Sequence, residues 1–345
     1  MDCKKAKKWY NTKKMKRNEK RNEKMKLIAS SSYLPNKIVM NKELSEKLGV
    51  TEEFIEKRTG IKQRYFTENE TIEEMAIKAT EKLIEKTKIS IETIDLIIVA
   101  TTSTNKIMPG ISNYVQKELK ISKCICLDIL AGCAGYINAV DIAQLYMKAG
   151  KVKRAIIIGA DILSKCTNES DVGTAIILAD GVGATLYEAS DNLYYSNIQS
   201  IPDNNDILEY NLNNKIKMDG LAIYKYAVTE TVKNIQQLLL EANEKIENIK
   251  YIIPHQSNLK IILAIASRLK IEKKKIFTNI ETVGNTFCAS IPIALEQILD
   301  NNLLNQGDKI ILLGYGGGLN TGSILLEGAV VSTSHTNRNK IKIDV

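Results

Sequence analysis

Three side chains in this sequence are of types that can do nucleophilic and proton-transfer chemistry, and each stands at the end of an apolar, strand-like run. Cys133 lies in the stretch Leu127 to Gly150, which reads as a strand, a tight turn at Ala131 and Gly132, and then a helix. A sulfur at such a turn lies beside the first backbone N–H groups of the helix, where the dipole and the free donors are expected to favour thiolate over thiol. That is the setting of a nucleophile, although free cysteines also serve as small hydrophobes in cores. His255 ends the run YIIP, Asn285 occupies the turn Gly284-Asn285-Thr286, and the last apolar run closes on Gly314-Tyr315-Gly316-Gly317-Gly318. Taken singly these read equally well as a core histidine, a turn residue and a tight glycine turn.

The elements that must bring these ends together follow an α/β pattern. IDLIIVATTS, ending at Ser103, and RAIIIGAD, ending at Asp161, are continuous β-branched runs of the kind buried inside a parallel sheet. Lys26 to Ile38 reads as a strand with a proline-marked turn. Asn41 to Thr59 reads as a helical region stopped at Gly60, and Thr71 to Thr87 as an amphipathic helix opened by a Thr71/Glu74 capping box. The order then repeats. A shift of about 155 positions places Ile91-Glu92 on Ile246-Glu247, AIIIG ending at Gly159 on IILLG ending at Gly314, and Cys133 on Cys288. A duplicated fold follows, in which strand ends and helix starts from both halves converge on one central site.

Composition narrows the function classes. The 345 residues carry a net charge of +8, but residues 1–26 hold twelve Lys/Arg against three Asp/Glu, so the body is close to neutral and no nucleic-acid partner is expected. The basic leader has no apolar periodicity and is expected to be disordered; it is either an upstream extension of the reading frame or an arm for RNA, membrane or carrier binding. No apolar run is long enough to span a membrane, and the six scattered cysteines suit a reducing, cytoplasmic setting. With two histidines and no paired CxxC, no metal site is expected. The expected organisation is a leader over residues 1–25, an N-terminal half over 26–199, a C-terminal half over 200–330, and a polar tail over 331–345.

From about Lys26 to Gly328 the chain resembles the β-ketoacyl-acyl carrier protein synthase III family of thiolase-like condensing enzymes. The resemblance rests on RTGI at Arg58, VATTS at Val99, DILAGCAGY at Asp128, DGVGA at Asp180, PHQSN at Pro254, GNT at Gly284 and GYGGG at Gly314, in joint order and spacing. It implies a five-layered αβαβα fold with an internally duplicated core, a homodimer, and a catalytic Cys133, His255 and Asn285. The resemblance further implies an oxyanion hole from the N–H groups of Cys133 and Gly317, and no cofactor beyond coenzyme A thioester as substrate. The implied reaction joins an acyl-CoA starter, held on Cys133, to malonyl-acyl carrier protein with loss of carbon dioxide, so that fatty acid synthesis begins. His255 Nε2 and the Asn285 amide are then expected to donate to the enolate oxygen. Asn at position 285 and the absence of a cysteine in GYGGG set the chain apart from two-histidine elongating synthases and from degradative thiolases.

Substrate contacts implied by the same resemblance are Arg58 on the coenzyme A phosphate, Phe54 beside it where tryptophan is usual, and Asn258. Met108 stands where the family has the phenylalanine that limits the acyl pocket across the dimer interface. Val172 replaces an arginine expected over the adenine, and Leu221 an asparagine near the pantetheine path. Lys225, Lys260 and Arg268 keep positive charge where the family docks its acidic carrier protein. Cys288 lacks the Gly-Cys-Ala-Gly context and is read as core packing. The altered nucleotide grip admits an alternative, a specialised starter-condensing or acyl-transfer enzyme with a carrier-bound donor. A further alternative is an inactive scaffold paralogue.

Overall fold

The computed structural model describes residues 23–104, 106–168, 170–210 and 215–328. Its first half runs through β1 (Glu23–Tyr33), β2 (Lys37–Met40), α1 (Asn41–Leu48), α2 (Glu52–Thr59), β3 (Gln63–Phe66) and α3 (Ile72–Thr87). It continues through β4 (Leu96–Thr101), α4 (Ile111–Glu118), β5 (Ile125–Ile129), α5 (Gly135–Lys148), β6 (Arg154–Ile162), α6 (Val172–Ala175) and β7 (Asp180–Ser200). The second half holds β8 (Leu208–Glu209), β9 (Lys217–Met218), α7 (Gly220–Ala242), β10 (Ile249–Pro254) and α8 (Leu259–Arg268). It ends with α9 (Ile280–Val283), α10 (Ser290–Asp300), β11 (Lys309–Gly316) and β12 (Asn320–Glu327).

Local chemistry sets the boundaries. Thr71 Oγ1 accepts the Glu74 N–H and the Glu74 carboxylate accepts the Thr71 N–H, the reciprocal cap that starts α3. Helix α2 stops at Gly60, whose φ of 79° is left-handed backbone that glycine adopts without a Cβ penalty. Strands β4 and β6, wholly apolar along most of their length, pair in parallel and are buried on both faces, as their unbroken β-branched runs require.

Strand order is β10-β11-β12-β7-β6-β4-β5, with β1 added on β7. The 21-residue β7 serves both halves. Its first part pairs antiparallel with β6 and β1, and its last residues, Tyr194 to Ser200, pair with β12. Alternation along the strands then builds the layers. Ile97, Val99, Ile156 and Ile158 face α3, while Ile98, Ala100 and Ile157 face the other way onto α5 and α10. Ile310 and Leu312 reach the same α5–α10 layer from the second half, and Ile311 and Leu313 pack outward on α7 and α8. The result is the five-layered, thiolase-like αβαβα arrangement. Each fully buried Ile or Leu in it is worth about 1.5–3 kcal/mol of transfer free energy.

The duplication is visible in register. The single 3₁₀ turns Gly132–Ala134 and Phe287–Ala289 lie 155 positions apart, as do the starts of α5 and α10 and of β6 and β11. The counterpart of β5 has shrunk to one bridge, Ile252 with Ile276. Two expected boundaries shift. Strand β1 begins at Glu23 and buries Met25, so the leader cannot extend to residue 25; apolar pairing with β7 claims its last residues. A division at 199/200 falls inside β7, which both halves use. The rest of the basic leader and the tail over 331–345 lie outside the described residues.

Candidate active site

Strand β5 delivers the chain to a turn in which Gly132 has φ +56°, and Cys133 opens the approach to α5. The glycine turn after β11 presses directly on it. A Cβ on Gly132 would lie 3.2 Å from the Gly317 carbonyl oxygen, and one on Gly316 would lie 2.8 Å from Cys133 Cβ and 3.1 Å from its Sγ. Only glycines permit this approach. The Cys133 sulfur is faced by two backbone N–H groups, its own and that of Gly317, both of which stabilise negative charge there. Burial outweighs them. The thiol is pushed well above its ordinary value, first by desolvation and then by the Asp161 carboxylate, which corrects the expectation of a resting thiolate. Burial thus holds Cys133 towards the thiol at rest.

His255 follows β10 and is 1% exposed. Desolvation alone holds its pKa down at about 3, so the ring is neutral. Its Nδ1 lies 2.7 Å from Ser290 Oγ, which is also 2.8 Å from the Phe287 carbonyl. The serine has one hydroxyl hydrogen to give. Turned to Phe287 it leaves Nε2 a bare acceptor; turned to Nδ1 it leaves Nε2 carrying the proton. The expected donation from Nε2 therefore belongs to only one of two serine rotamers. The main chain around the ring is fixed by Gln256, whose amide donates to the carbonyls of Pro254 and Phe277 while accepting from the Asn279 N–H. Ser257 Oγ and Tyr315 Oη are 2.7 Å apart, and the Tyr315 ring packs edge-on to His255.

Asn285 sits between α9 and the Phe287 turn, 5% exposed. Its Oδ1 accepts the Phe287 N–H at 3.0 Å, and its amide donates one hydrogen to the Ser257 carbonyl at 3.3 Å, leaving the second amide hydrogen uncommitted by these bonds. Phe287 links the parts. It shares a cavity of about 270 Å³ with Cys133, Thr102, Tyr210, Ile216 and Gly317, and its ring stands 6.4 Å from that of His255. His255 and Asn285 do not themselves line that cavity; the His255 ring packs edge-on against Phe287 and Tyr315. Cys288, next in the chain, is fully buried as expected, though its sulfur contacts a polar atom, the Gly132 carbonyl.

The remaining expected residues lie apart from this centre. The Arg58 guanidinium is 5.8 Å from the Phe54 ring centroid, at the end of α2. Asn258 caps α8 through the Lys260 N–H and donates to the Arg58 carbonyl, so it ties α2 to α8. Met108 is 88% exposed and touches no part of its own chain's cavity. Lys225 on α7 and Lys260 and Arg268 on α8 are exposed, with Arg268 also reaching Thr229 Oγ1. Among the described residues no three His, Cys, Asp or Glu side chains group as metal ligands, and no helix is long and apolar enough to cross a membrane.

Sequence reasoning passed over Ser290, Phe287, Tyr210 and Asp161. Two left a signal: Ser290 is the repeat mate of Gly135, so a hydroxyl appears where the first half has none, and Asp161 is a carboxylate at the end of an apolar buried strand. Asp161 is fully buried. Its oxygens accept the N–H groups of Thr102 and Cys288, and desolvation raises its pKa to about 6.

Comparison with known proteins identifies the family. A model of 3-oxoacyl-[acyl-carrier-protein] synthase III matches residues 127–201, and a model of the C-terminal part of the same enzymes matches residues 239–327. A β-ketoacyl-[acyl-carrier-protein] synthase III of Clostridium novyi is 35% identical over 319 residues, covering 88% of this chain and 98% of its own. One of Clostridium kluyveri is 37% identical over 318 residues with the same coverage. The crystal structure of 3-oxoacyl-[acyl-carrier-protein] synthase III from Aquifex aeolicus VF5 superposes with a TM-score of 0.86 at 35% identity, over 88% of this chain and 99% of that one. A duplicated sheet that presses a glycine turn onto a buried cysteine, matched at this identity along almost the full length of such relatives, places the chain in the β-ketoacyl-acyl carrier protein synthase III family of condensing enzymes.

Proposed function

We propose that the chain condenses an acyl-CoA starter with malonyl-acyl carrier protein through an acyl-enzyme on Cys133, the first carbon–carbon bond of fatty acid synthesis. The observation that carries the reading is the Cys133 sulfur lying under two backbone donors, its own N–H and that of Gly317, at the mouth of a cavity large enough for a short acyl chain. In the first half-reaction Nε2 of neutral His255 takes the thiol proton as the sulfur attacks the acyl carbonyl. The tetrahedral oxyanion meets the two N–H groups, and its collapse breaks the bond to coenzyme A, whose thiolate regains the proton. Loss of one such donor typically costs about 3 kcal/mol of barrier.

In the second half-reaction the malonyl carboxylate leaves as carbon dioxide and its bonding pair enters the enolate. The free Asn285 amide hydrogen and a protonated Nε2 donate to the enolate oxygen, and Ser290 is placed to allow that tautomer by turning to Nδ1. The carbanion attacks the acyl carbonyl, the tetrahedral oxyanion collapses, and the departing Cys133 thiolate takes up one proton from water. Neutral side chains suffice in this second half-reaction, in keeping with the low basicity of His255.

The partner assignments rest on surfaces. Among the described residues strand β5 ends the sheet, and Ile107, Met108, Leu130 and Leu145 are exposed near it or on the helix that follows, an apolar set suited to a second copy of the chain. Met108 then approaches the partner's cavity. Lys225, Lys260 and Arg268 form the docking face for an acidic carrier protein, and Arg58 with Phe54 takes the nucleotide of coenzyme A. Work in the cytoplasm follows from this chemistry.

The test is direct. Incubation with acetyl-CoA and longer acyl-CoAs should add the acyl mass to the protein, the addition should vanish in Cys133→Ser, and malonyl-acyl carrier protein should discharge it. No adduct from coenzyme A or carrier-protein donors would overturn the assignment. Adducts from carrier-protein donors alone would favour the carrier-bound starter, which Val172 and Phe54 in the nucleotide region would permit.

A further inference from the structure

Cys288 is the repeat counterpart of Cys133, and its thiol is placed with more purpose than packing demands. Its Sγ lies 3.0 Å from the carbonyl oxygen of Gly132, within reach of an S–H donor. That carbonyl and the Cys133 N–H are the two ends of one planar, trans peptide group. They point in opposite directions and turn together. Cys288 therefore holds one end of the plane whose other end is a donor facing the nucleophile's sulfur.

The thiol is itself held from behind. The Cys288 N–H donates to Asp161 Oδ2 at 3.0 Å, and Oδ1 of the same carboxylate accepts the Thr102 N–H at 2.7 Å. Strand β6 lies so close that a Cβ on Gly159 would come within 2.1 Å of the Cys288 carbonyl oxygen. Thr102 Oγ1, 3.9 Å from Sγ, can give the sulfur a hydrogen while the sulfur gives its own to Gly132. Burial first, and then the Asp161 charge, keep Cys288 protonated, hence a donor; the Asp161 carboxylate is a competing acceptor, and the 3.0 Å contact is the one made to the Gly132 carbonyl. The Gly135 N–H also reaches the Gly132 carbonyl as the bond that closes the 3₁₀ turn, so the thiol supplies a second restraint, from the other half of the molecule.

We propose that Cys288 is a positioning residue for the oxyanion hole, its S–H fixing the Gly132–Cys133 peptide so that the Cys133 N–H meets the charge developing at the acyl carbonyl. This rests on the reading of Cys133 as the acylated nucleophile. It does not touch the enolate, which His255 and Asn285 serve. The two half-reactions thus separate a role in the hole from general loosening of the site.

The full chain and its Cys288→Ala, Cys288→Val and Cys288→Ser variants would be compared in three measurements. These are the rate of Cys133 acylation by acetyl-CoA in quenched-flow mass spectrometry, the ¹³C-edited infrared stretch of the acyl-enzyme carbonyl, and decarboxylation of malonyl-CoA. Cys288→Ala is expected to acylate about tenfold more slowly, with the carbonyl stretch at higher frequency and decarboxylation within twofold of the parent. Cys288→Val, which also lacks a donor, carries the same expectation should the alanine variant not fold. Cys288→Ser, with a donor on a shorter bond, should recover part of the rate. Parental acylation and an unmoved carbonyl stretch in the donor-free variants overturn the proposal, as does an equal fall in acylation and decarboxylation. If the parent chain itself takes up no acyl group, the failure lies with the nucleophile reading.

Discussion

Nδ1 of His255 and Oγ of Ser290 stand 2.7 Å apart, with the serine equally within reach of the Phe287 carbonyl. One hydroxyl hydrogen serves two acceptors, so the serine decides which nitrogen of the imidazole carries the proton. Ser290→Ala is expected to lower kcat by about tenfold or more while leaving KM for acyl-CoA within about twofold, because orientation and not binding is lost. Steady-state kinetics on both substrates check this. A change confined to KM would contradict it.

Acid should reveal two opposed titrations. Burial holds His255 at about 3 against an ordinary 6.5, so the unfolded chain binds a proton that the folded chain refuses, and stability falls as pH falls from 6.5 towards 3. Asp161, held at about 6 against 3.8, takes its proton earlier when folded, so acidification between 6 and 3.8 adds stability. Each slope is at most about 1.4 kcal/mol per pH unit, and the two oppose one another across the Asp161 window. Asp161→Asn removes the second, so urea unfolding from pH 7 to 4 should show a steeper acid loss than in the parent. Equal slopes would remove Asp161 from the account.

Gly316→Ala places a methyl carbon 2.8 Å from Cys133 Cβ and 3.0 Å from its backbone nitrogen. Neither neighbour is the loose end of a flexible side chain, so the turn must move, and the Gly317 N–H with it. Acylation should slow by about a hundredfold, with about 1–3 kcal/mol lost from stability. Stopped-flow acylation beside denaturant melts would separate the two effects; acylation at the parental rate would show that the turn yields without cost.

Charge reversal on the α7–α8 face addresses the carrier protein. Lys225→Glu, Lys260→Glu and Arg268→Glu together should raise KM for malonyl-acyl carrier protein by about tenfold at low salt, with the effect shrinking as ionic strength rises. Kinetics with malonyl-CoA, which lacks the protein partner, should be unaltered. An equal rise for both donors would relocate the docking face.

Much of the scaffold was legible because its periods are strong. The runs through Ile98 and Ile157 could lie only in a covered sheet, and the 155-residue shift by itself links Cys133 to Cys288. The protonation of Cys133 was not legible. The helix start beside it argues for thiolate, while the burial that defeats this comes from an apolar cluster drawn from distant parts of the chain, Leu163 and Phe287 among them. The Ser290 hydroxyl was equally hidden, since a serine after a turn looks like any helix start until His255 is seen to point at it. Phe287 carries φ +44° in a bulky residue, a cost that only the surrounding packing explains.

Strand β7 has a consequence for how this protein divides. Because its leading residues complete one sheet and its closing residues complete the other, neither duplicate owns its full complement of strands. A fragment ending at Ser200 would carry an unpaired apolar margin, and one starting there would lack the neighbour of β12, so each piece alone is a candidate for aggregation. The seam between the duplicates is thus one unbroken strand, and any cut at Ser200 exposes backbone on both of its sides.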